Sequence, residues 1–209
     1  LKGGEDPHSR RRLMHTLIAV QVAFCFLIVF VASLFVRTFD RLSNQPLGFS
    51  AERILVLDTV AQRLQPAFSW DQTAERLCAV PGVETAALSN RPLLSGYSSN
   101  NSISVNGGPP SQSLAYFMNV STGWMDAMRI RFLGGTDFRP DDTYPGAAIV
   151  NETFVKEYFH GENPIGKSFD EAGDGGERIH LRVVGLVRDA RYKSVRGPML
   201  PVVYLPFAK

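Results

Sequence analysis

Residues 13–36 read Leu-Met-His-Thr-Leu-Ile-Ala-Val-Gln-Val-Ala-Phe-Cys-Phe-Leu-Ile-Val-Phe-Val-Ala-Ser-Leu-Phe-Val, with no Asp, Glu, Lys or Arg. As a helix the run would be roughly 36 Å long, enough to cross a hydrocarbon core of about 30 Å with some tilt. A signal-peptide core is shorter, about 7–15 residues, and ends at a small-x-small site. Here Val31-Ala32-Ser33 is followed by further large apolar residues. A core helix of a globular protein keeps a polar face, which this run lacks. The stretch is therefore predicted to be a transmembrane helix. His15 and Gln21 are its polar members. They read as an interfacial side chain near one end and a hydrogen-bonding contact to a neighbouring helix, in preference to a proton relay.

Working outward, Lys2, Arg10, Arg11 and Arg12 precede the span, whereas Arg37, Arg41 and Arg53 follow it interleaved with Asp40 and Glu52. The compact basic cluster before the span places the N-terminus in the cytoplasm and the large remainder outside it. Residues 1–12, with Gly3, Gly4 and Pro7, read as a flexible cytoplasmic linker. Leu34, Phe35, Phe39 and Leu42 keep helical spacing beyond the span. Residues 37–48 are thus expected to form a stalk, stopped by Pro46 and Gly48. Residues 49–209 form the extracytoplasmic domain.

The 209 residues are 44% hydrophobic and 20% charged, values of a globular chain. About 170 residues remain after the span, enough for one ordinary domain or two small ones sharing a core. A net charge of +2 supplies no field to attract nucleic acid. The two cysteines, Cys25 in the span and Cys78 far from it, form neither a disulfide framework nor a CxxC metal motif. The chain starts with Leu1 and reads as a piece of something longer.

Along the domain, Arg53 to Val60 is rich in β-branched and apolar residues and is predicted as a strand. Trp70 to Val80 is predicted as a helix capped by Ser69 and stopped by Pro81-Gly82, and Val83 to Leu88 as a second strand, together a β-α-β unit. Arg91 to Asn101 is a loop. Ser102 to Asn106 and Leu114 to Val120 are expected to pair across Gly107-Gly108-Pro109-Pro110. Thr122 to Met128 is a short helix, Ile130 to Leu133 a strand, and Gly134 to Gly146 a turn-rich acidic loop. Ala147 to Val150 is a strand, after which Asn151 caps a helix from Glu152 to Phe159. Lys167 to Phe169 and Ile179 to Asp189 flank an Asp/Gly-rich hairpin over 170–177, and Val202 to Leu205 is a final strand. Strands and helices mix without strict alternation, which makes the domain α+β.

Gly161-Glu162-Asn163-Pro164-Ile165-Gly166-Lys167-Ser168 matches the phosphate-loop pattern G-x-x-x-x-G-K-[ST] letter for letter. A working phosphate loop follows a buried strand and opens a helix, whose N-terminal amides hold the phosphates. Here a helix precedes the segment, and Ser168-Phe169-Asp170-Glu171-Ala172-Gly173 does not start one. Gly161, Gly166, Lys167 and Ser168 are read as a structural turn, not a nucleotide site. Asp137, Asp141 and Asp142 lack EF-hand spacing and have Arg139 among them. His8, His15, His160 and His180 are scattered, with no HExxH pair. Ser95, Ser98 and Ser99 lie in a loop without a nucleophile elbow. Asp189 with Arg188 and Arg191 reads as a local ion network. Asn119-Val120-Ser121 and Asn151-Glu152-Thr153 match glycosylation sequons, without meaning in a bacterial host. No catalytic, cofactor-binding or metal-binding residue is expected. An anchor, a stalk and a domain without visible chemistry favour binding or force transmission over catalysis.

Several segments, in order, resemble one family. They are Val20-Gln21-Val22-Ala23, Leu34-Phe35-Val36-Arg37-Thr38-Phe39 with Arg41-Leu42, Leu47-Gly48-Phe49, Pro81-Gly82-Val83-Glu84 and Pro92-Leu93. Further on lie Gly135-Thr136-Asp137-Phe138, Ile149-Val150-Asn151-Glu152-Thr153-Phe154, Asn163-Pro164-Ile165-Gly166-Lys167, Val184-Gly185-Leu186-Val187-Arg188-Asp189 and Val203-Tyr204-Leu205-Pro206. Together they resemble the MacB-like periplasmic domain of FtsX-type ABC transporter permeases, most of all the large duplicated permeases of acidobacteria. Thr136 departs from the family's usual Gly-Arg-Asp-Phe. The resemblance implies a periplasmic-domain fold of β-α-β units and a place in the bacterial inner membrane, at the start of a permease's second half. It also implies partners: a cytoplasmic ABC ATPase subunit, another permease half or second copy, a periplasmic adaptor and the lipid bilayer. Its role would be export or mechanotransmission driven by ATP hydrolysis elsewhere, with no cofactor of its own. The competing reading is a single-span sensor or ligand-binding module of a signalling protein.

Overall fold

The structure, a computed structural model, describes residues 7–59, 67–173 and 177–207. The chain divides into two units, Leu1–Gln45 and Pro46–Lys209.

The first unit is one helix, α1, Pro7–Ser43, of 37 residues. Pro7 sits where its missing N–H costs nothing, and neither Pro nor Gly recurs before the helix ends. Thr16, Ser33 and Thr38 donate their hydroxyls to the carbonyls of Arg12, Phe30 and Leu34, so these polar side chains are satisfied inside their own helix. Within Arg11–Ser43 an 18-residue window reaches a mean hydropathy of 2.7, and the helix is long and apolar enough to cross a membrane. Residues 7–12, expected in a flexible linker, are helical, because nothing between His8 and the apolar run breaks the pattern; residues 1–6 lie outside the described residues.

The second unit is built on a mixed seven-stranded sheet. Its strands are β1 Ser99–Val105, β2 Leu114–Val120, β3 Phe132–Gly135, β4 Ala147–Asn151, β5 Ser168–Ala172, β6 Arg178–Val187 and β7 Val202–Pro206. Helices α2 Ala67–Cys78, α3 Trp124–Ala127 and α4 Glu152–Tyr158 accompany them. The spatial order is β3-β6-β4-β7-β2-β1-β5, and β5 also pairs with β6. Six strands therefore close into a ring with β3 outside it. The ring closes because β6 is ten residues long: Arg178–Arg182 pairs with β5, and Gly185–Val187 with β3. β2–β7 and β4–β6 are parallel; the other pairs are antiparallel.

β4 and β7 are buried at every residue. Such strands must be apolar on both faces, which is why they read as continuous hydrophobic runs. By strand alternation, Ala148, Val150, Val203 and Leu205 enter one core with Phe154, Phe169 and Leu181. Ile149, Val202 and Tyr204 enter the other with Trp124, Met125 and Phe138. Each fully buried Val, Leu, Ile or Phe contributes about 1.5–3 kcal/mol. The unit is α+β.

Several boundaries move. Arg53 to Thr59 forms no strand, and Val60 lies outside the described residues; Val83 to Leu88 forms none either, and only Ser89 makes an isolated bridge, to Val120. The β-α-β unit expected there has its helix without its ladders. Strand propensity is not sufficient: a strand needs a partner's N–H and C=O groups. Helix α2 begins by Ala67, so Ser69 lies inside it and not at the N-cap position expected. β1 starts at Ser99, three residues earlier than expected, because Asn100 and Asn101 pair with Tyr116 and Ala115. β3 starts two residues late at Phe132, since the α3 end is used up by the Ile130 N–H bond to Met125. β5 extends to Ala172, carried by its partners Ile179 and Arg178.

Candidate functional site

The richest polar constellation lies where β4 meets α4. Asn151 ends β4 in an extended conformation, and its Oδ1 accepts the Phe154 N–H at 3.0 Å as an N-cap. The same oxygen accepts the Val202 N–H at 2.9 Å, and Nδ2 donates to the Leu200 carbonyl at 2.8 Å. One fully buried side chain thus fastens a helix start to the entry of β7. Beside it, Asp189 accepts from the Thr153 N–H at 2.9 Å through Oδ1 and from the Thr153 hydroxyl at 2.7 Å through Oδ2. Glu152 Oε2 in turn accepts the Asp189 N–H at 3.2 Å. Negative charge and acceptors at the N-terminus of α4 satisfy amides that the helix itself leaves open. Among the described residues, no ion pair joins Asp189 to Arg188 or Arg191, where a local ion network was expected. Asp189 is spent on Thr153, and Arg191 donates to the Gly197 carbonyl instead.

Two glycines let main chains approach closely, Gly48 at Asp189 of this constellation and Gly185 at Thr136 after β3. A Cβ on Gly48, whose φ is +80, would stand 2.1 Å from the Asp189 carbonyl oxygen. A Cβ on Gly185 would stand 2.6 Å from the Thr136 carbonyl oxygen and 3.0 Å from Ile149 Cγ1. Leu47-Gly48-Phe49 and Val184-Gly185 are therefore packing motifs: only glycine lets the two main chains touch. Leu47 completes the contact by accepting the Arg191 N–H at 2.8 Å.

The phosphate-loop look-alike runs from the end of α4 into β5. Gly161 and Gly166 have φ of +83 and +81, and Gly161 closes α4 through its N–H to the Val155 carbonyl. Strand β5 begins at Ser168, so no helix N-terminus opens after Lys167. The Lys167 ammonium is bonded to the Glu162 carboxylate and lies 5.5 Å from the Phe159 ring centroid. That hydrogen bond, followed by the ammonium's charge, lowers the Glu162 pKa.

The other sequence candidates are dispersed. Asp137 accepts from the Gly123 and Phe138 N–H groups at 2.8 Å each, and Asp142 accepts the Arg139 N–H at 2.8 Å, so both carboxylates close turns. His180 meets Asp170 at 2.9 Å across the β5–β6 hairpin, and His160 ends α4 with φ of +52. Ser99 opens β1, with Ser95 and Ser98 in the loop before it. Cys25 and Cys78 are exposed and free. Among the described residues, no group of three or more His, Cys, Asp or Glu is placed to hold a metal ion.

Buried tyrosines mark the two cores. Burial pushes up the pKa of Tyr158, Tyr192 and Tyr204. Tyr158 donates to the Ser113 carbonyl at 3.1 Å and Tyr192 to the Phe117 carbonyl at 3.0 Å. The fully buried Tyr204 hydroxyl has no hydrogen-bond partner among the described residues.

Sequence reasoning missed a cleft of about 480 Å³, walled by Asp71, Glu75 and Cys78 of α2 on one side and by Leu88, Phe138 and Phe207 on another. No single stretch of the sequence signals it, because its walls come from segments far apart in the chain. The cleft gathers carboxylates and apolar surface, not a nucleophile with its base.

A family description, the MacB-like periplasmic core domain, matches residues 16–209. The fold is similar to the periplasmic region of MacB from Actinobacillus actinomycetemcomitans, at 18% identity and a TM-score of 0.45, over 66% of this chain and 54% of that one. It is also similar to the extracellular domain of the noncanonic ABC-type transporter YknZ from Gram-positive bacteria, at 18% identity and a TM-score of 0.42, over 66% of this chain and 62% of that one. The chain thus spans little more than half the length of that MacB region. No curated protein matches the chain significantly.

Proposed function

Since the chain belongs to the MacB-like periplasmic core domain family, we propose that it is the extracytoplasmic domain and membrane anchor of an ABC permease, moved by ATP hydrolysis in a separate cytoplasmic subunit. The MacB-like periplasmic core domain is a non-catalytic permease domain, and its folded part is periplasmic or extracellular.

The observation that carries the coupling is α1. Its 37 residues run without a proline or glycine after Pro7. A helix of that length spans roughly 55 Å, against about 30 Å of hydrocarbon. The apolar run 13–36 fills the span, and residues 37–43 continue the same helix beyond it as a short stiff stalk. A stiff rod transmits displacement, whereas a flexible tether would absorb it. The basic Arg10-Arg11-Arg12 cluster supports a cytoplasmic N-terminus and an inner-membrane location.

The ATPase subunit, a second permease half or copy, and a periplasmic adaptor are the proposed partners, besides the bilayer. An origin at the start of the second half of a duplicated permease is part of the same proposal. Export or mechanotransmission is the proposed work. Gly161, Gly166, Lys167 and Ser168 act in it as a turn, with no cofactor and no part for nucleic acid.

The test is co-expression of the full-length protein with the ATPase encoded beside it. Co-purification, and ATP hydrolysis that changes when the permease is present, is the expected result. A full-length protein with no further spans and a kinase or cyclase domain before Leu1 would overturn the reading in favour of a sensor.

A further inference from the structure

One end of the sheet carries an unbalanced charge. Phe132 and Asn151 both pair with Val187, and Val150 pairs with Val203, so β4 and β6 end, and β3 and β7 begin, at the same end. One step beyond the β3–β6 ladder, the Arg188 N–H bonds to the Arg131 carbonyl at 2.9 Å. Continuing the register sets Arg131 opposite Arg188 on one face. Like charges placed opposite each other are destabilising unless an anion offsets them. Both side chains are exposed, as are Arg129 before β3 and Lys193 and Arg196 in the loop from β6 to β7. Among the described residues, none of these five cations is in an ion pair. Of the carboxylates bonded to or adjoining these segments, Asp189 is spent on Thr153 and Glu152 on the Asp189 N–H. Glu52 and Asp126 remain, too few to balance the cations.

The same end receives the chain as it enters the unit. The Ser50 N–H bonds to the Met128 carbonyl at 3.0 Å, Leu47 accepts the Arg191 N–H at 2.8 Å, and Gly48 packs against the Asp189 carbonyl. Arg129, Arg188 and Lys193 lie one or two positions from these contact residues. Residues 37–43 rise about 10 Å beyond the apolar run, of which the headgroup layer takes up about 5–8 Å. Pro46 follows Gln45 by a peptide bond, and charge is felt over a Debye length of about 8 Å at physiological salt. The entry segment is therefore within range of headgroup charge whatever angle the two units adopt. We propose that this end of the unit binds the phosphate groups of anionic phospholipids in the leaflet from which α1 emerges. A lipid phosphate shared by Arg131 and Arg188 turns their mutual repulsion into binding, because guanidinium groups form charge-assisted hydrogen bonds to phosphate oxygens. Arg129, Lys193 and Arg196 add attraction to an anionic surface without fixed geometry. The proposal rests on the reading of α1 as the membrane anchor.

Arginine labelling by phenylglyoxal, read by mass spectrometry, tests it on the 209-residue chain held in lipid nanodiscs. One set of discs contains phosphatidylcholine alone, the other equal parts of phosphatidylcholine and phosphatidylglycerol. Arg131, Arg188 and Arg196 should be labelled at least about fivefold more slowly in the mixed discs, and high salt should abolish the difference. Arg139 is the control: it is exposed and lies with Val120 and Pro206 at the opposite end of the sheet, so its labelling should be the same in both discs. Equal labelling of Arg131 and Arg188 in the two kinds of disc overturns the proposal. Protection of the same arginines by inorganic phosphate in phosphatidylcholine discs assigns the surface to a soluble anion and also overturns it. A chain that does not enter discs of either composition overturns the anchor reading itself, and so separates the two failures.

Discussion

Thr153 and Asp189, 36 residues apart, are joined twice: the carboxylate takes the Thr153 amide at 2.9 Å and its hydroxyl at 2.7 Å. This contact pins the first turn of α4 to the chain just after β6. Hydrogen bonds to a charged acceptor contribute about 1.5–3 kcal/mol each when partly shielded from water. Asp189→Ala should therefore lower the unfolding free energy by about 2 kcal/mol, read as a lower midpoint in urea. Thr153→Ser, which keeps both donors, should cost less than Thr153→Val.

Asn151 is the second fastening. Its loss strands the buried Val202 N–H and Leu200 carbonyl and uncaps α4. Asn151→Ala is expected to cost about 3 kcal/mol, the largest polar effect in the unit. Asn151→Asp keeps the acceptor and loses the donor, so its midpoint should fall between wild type and Asn151→Ala.

Gly185→Ala tests the packing account of the Val184-Gly185 motif. The new methyl would meet the Thr136 carbonyl oxygen at 2.6 Å, and backbone cannot rotate away as a side chain does. Overpacking of this kind costs about 1–3 kcal/mol. An unchanged melting temperature would show that β3 and β6 do not approach as described.

Tyr204 gives a prediction of opposite sign. Its hydroxyl is buried without a partner among the described residues. Tyr204→Phe should raise stability by about 1 kcal/mol at neutral pH, by removing an uncompensated polar group. Burial raises the pKa of Tyr204, and of Tyr158 and Tyr192, above the ordinary 10.0. The folded chain therefore keeps protons that the unfolded chain has released. Stability from these groups is complete below about pH 10 and declines above it. Thermal unfolding followed from pH 8 to 11 should show that decline, shallower in Tyr204→Phe.

Lys167→Ala addresses the phosphate-loop pattern. Its bond to Glu162 is exposed, so no measurable change in melting temperature is expected. Equilibrium dialysis with ATP should give the same absence of binding for both proteins. Binding that disappears in Lys167→Ala would restore the nucleotide reading.

β2 and β4 were legible because their residues carry their own signal. Leu114–Val120 is largely apolar and carries Tyr116, Phe117 and Val120, and Ala147–Val150 is apolar throughout, as burial on both faces requires. Asn151 was legible as a cap because the residue type and the following helix are adjacent in sequence. The ring closure was not, since it depends on β6 sharing its length between β5 and β3, a matter of register between distant segments. Ile54–Leu57 misled for the same reason: strand composition is local, but a strand exists only when paired. Asp189 was seen as a charge among arginines, and its real partner, Thr153, is invisible until the fold joins them. The cleft beside α2 is assembled from residues as far apart as Asp71 and Phe207 and left no mark in any single stretch.

The most direct test of the central claim is a break in the rod. Thr38 lies inside α1, its hydroxyl bonded to the Leu34 carbonyl. Proline there removes one backbone bond and clashes with that carbonyl, bending the helix at a cost of about 3 kcal/mol or more. ATP-dependent transport by the full permease and its ATPase should be measured for Thr38→Pro beside wild type. Mechanical coupling predicts a complex that assembles and hydrolyses ATP but transports at a small fraction of the wild-type rate. Transport at the wild-type rate through a helix so broken would contradict it.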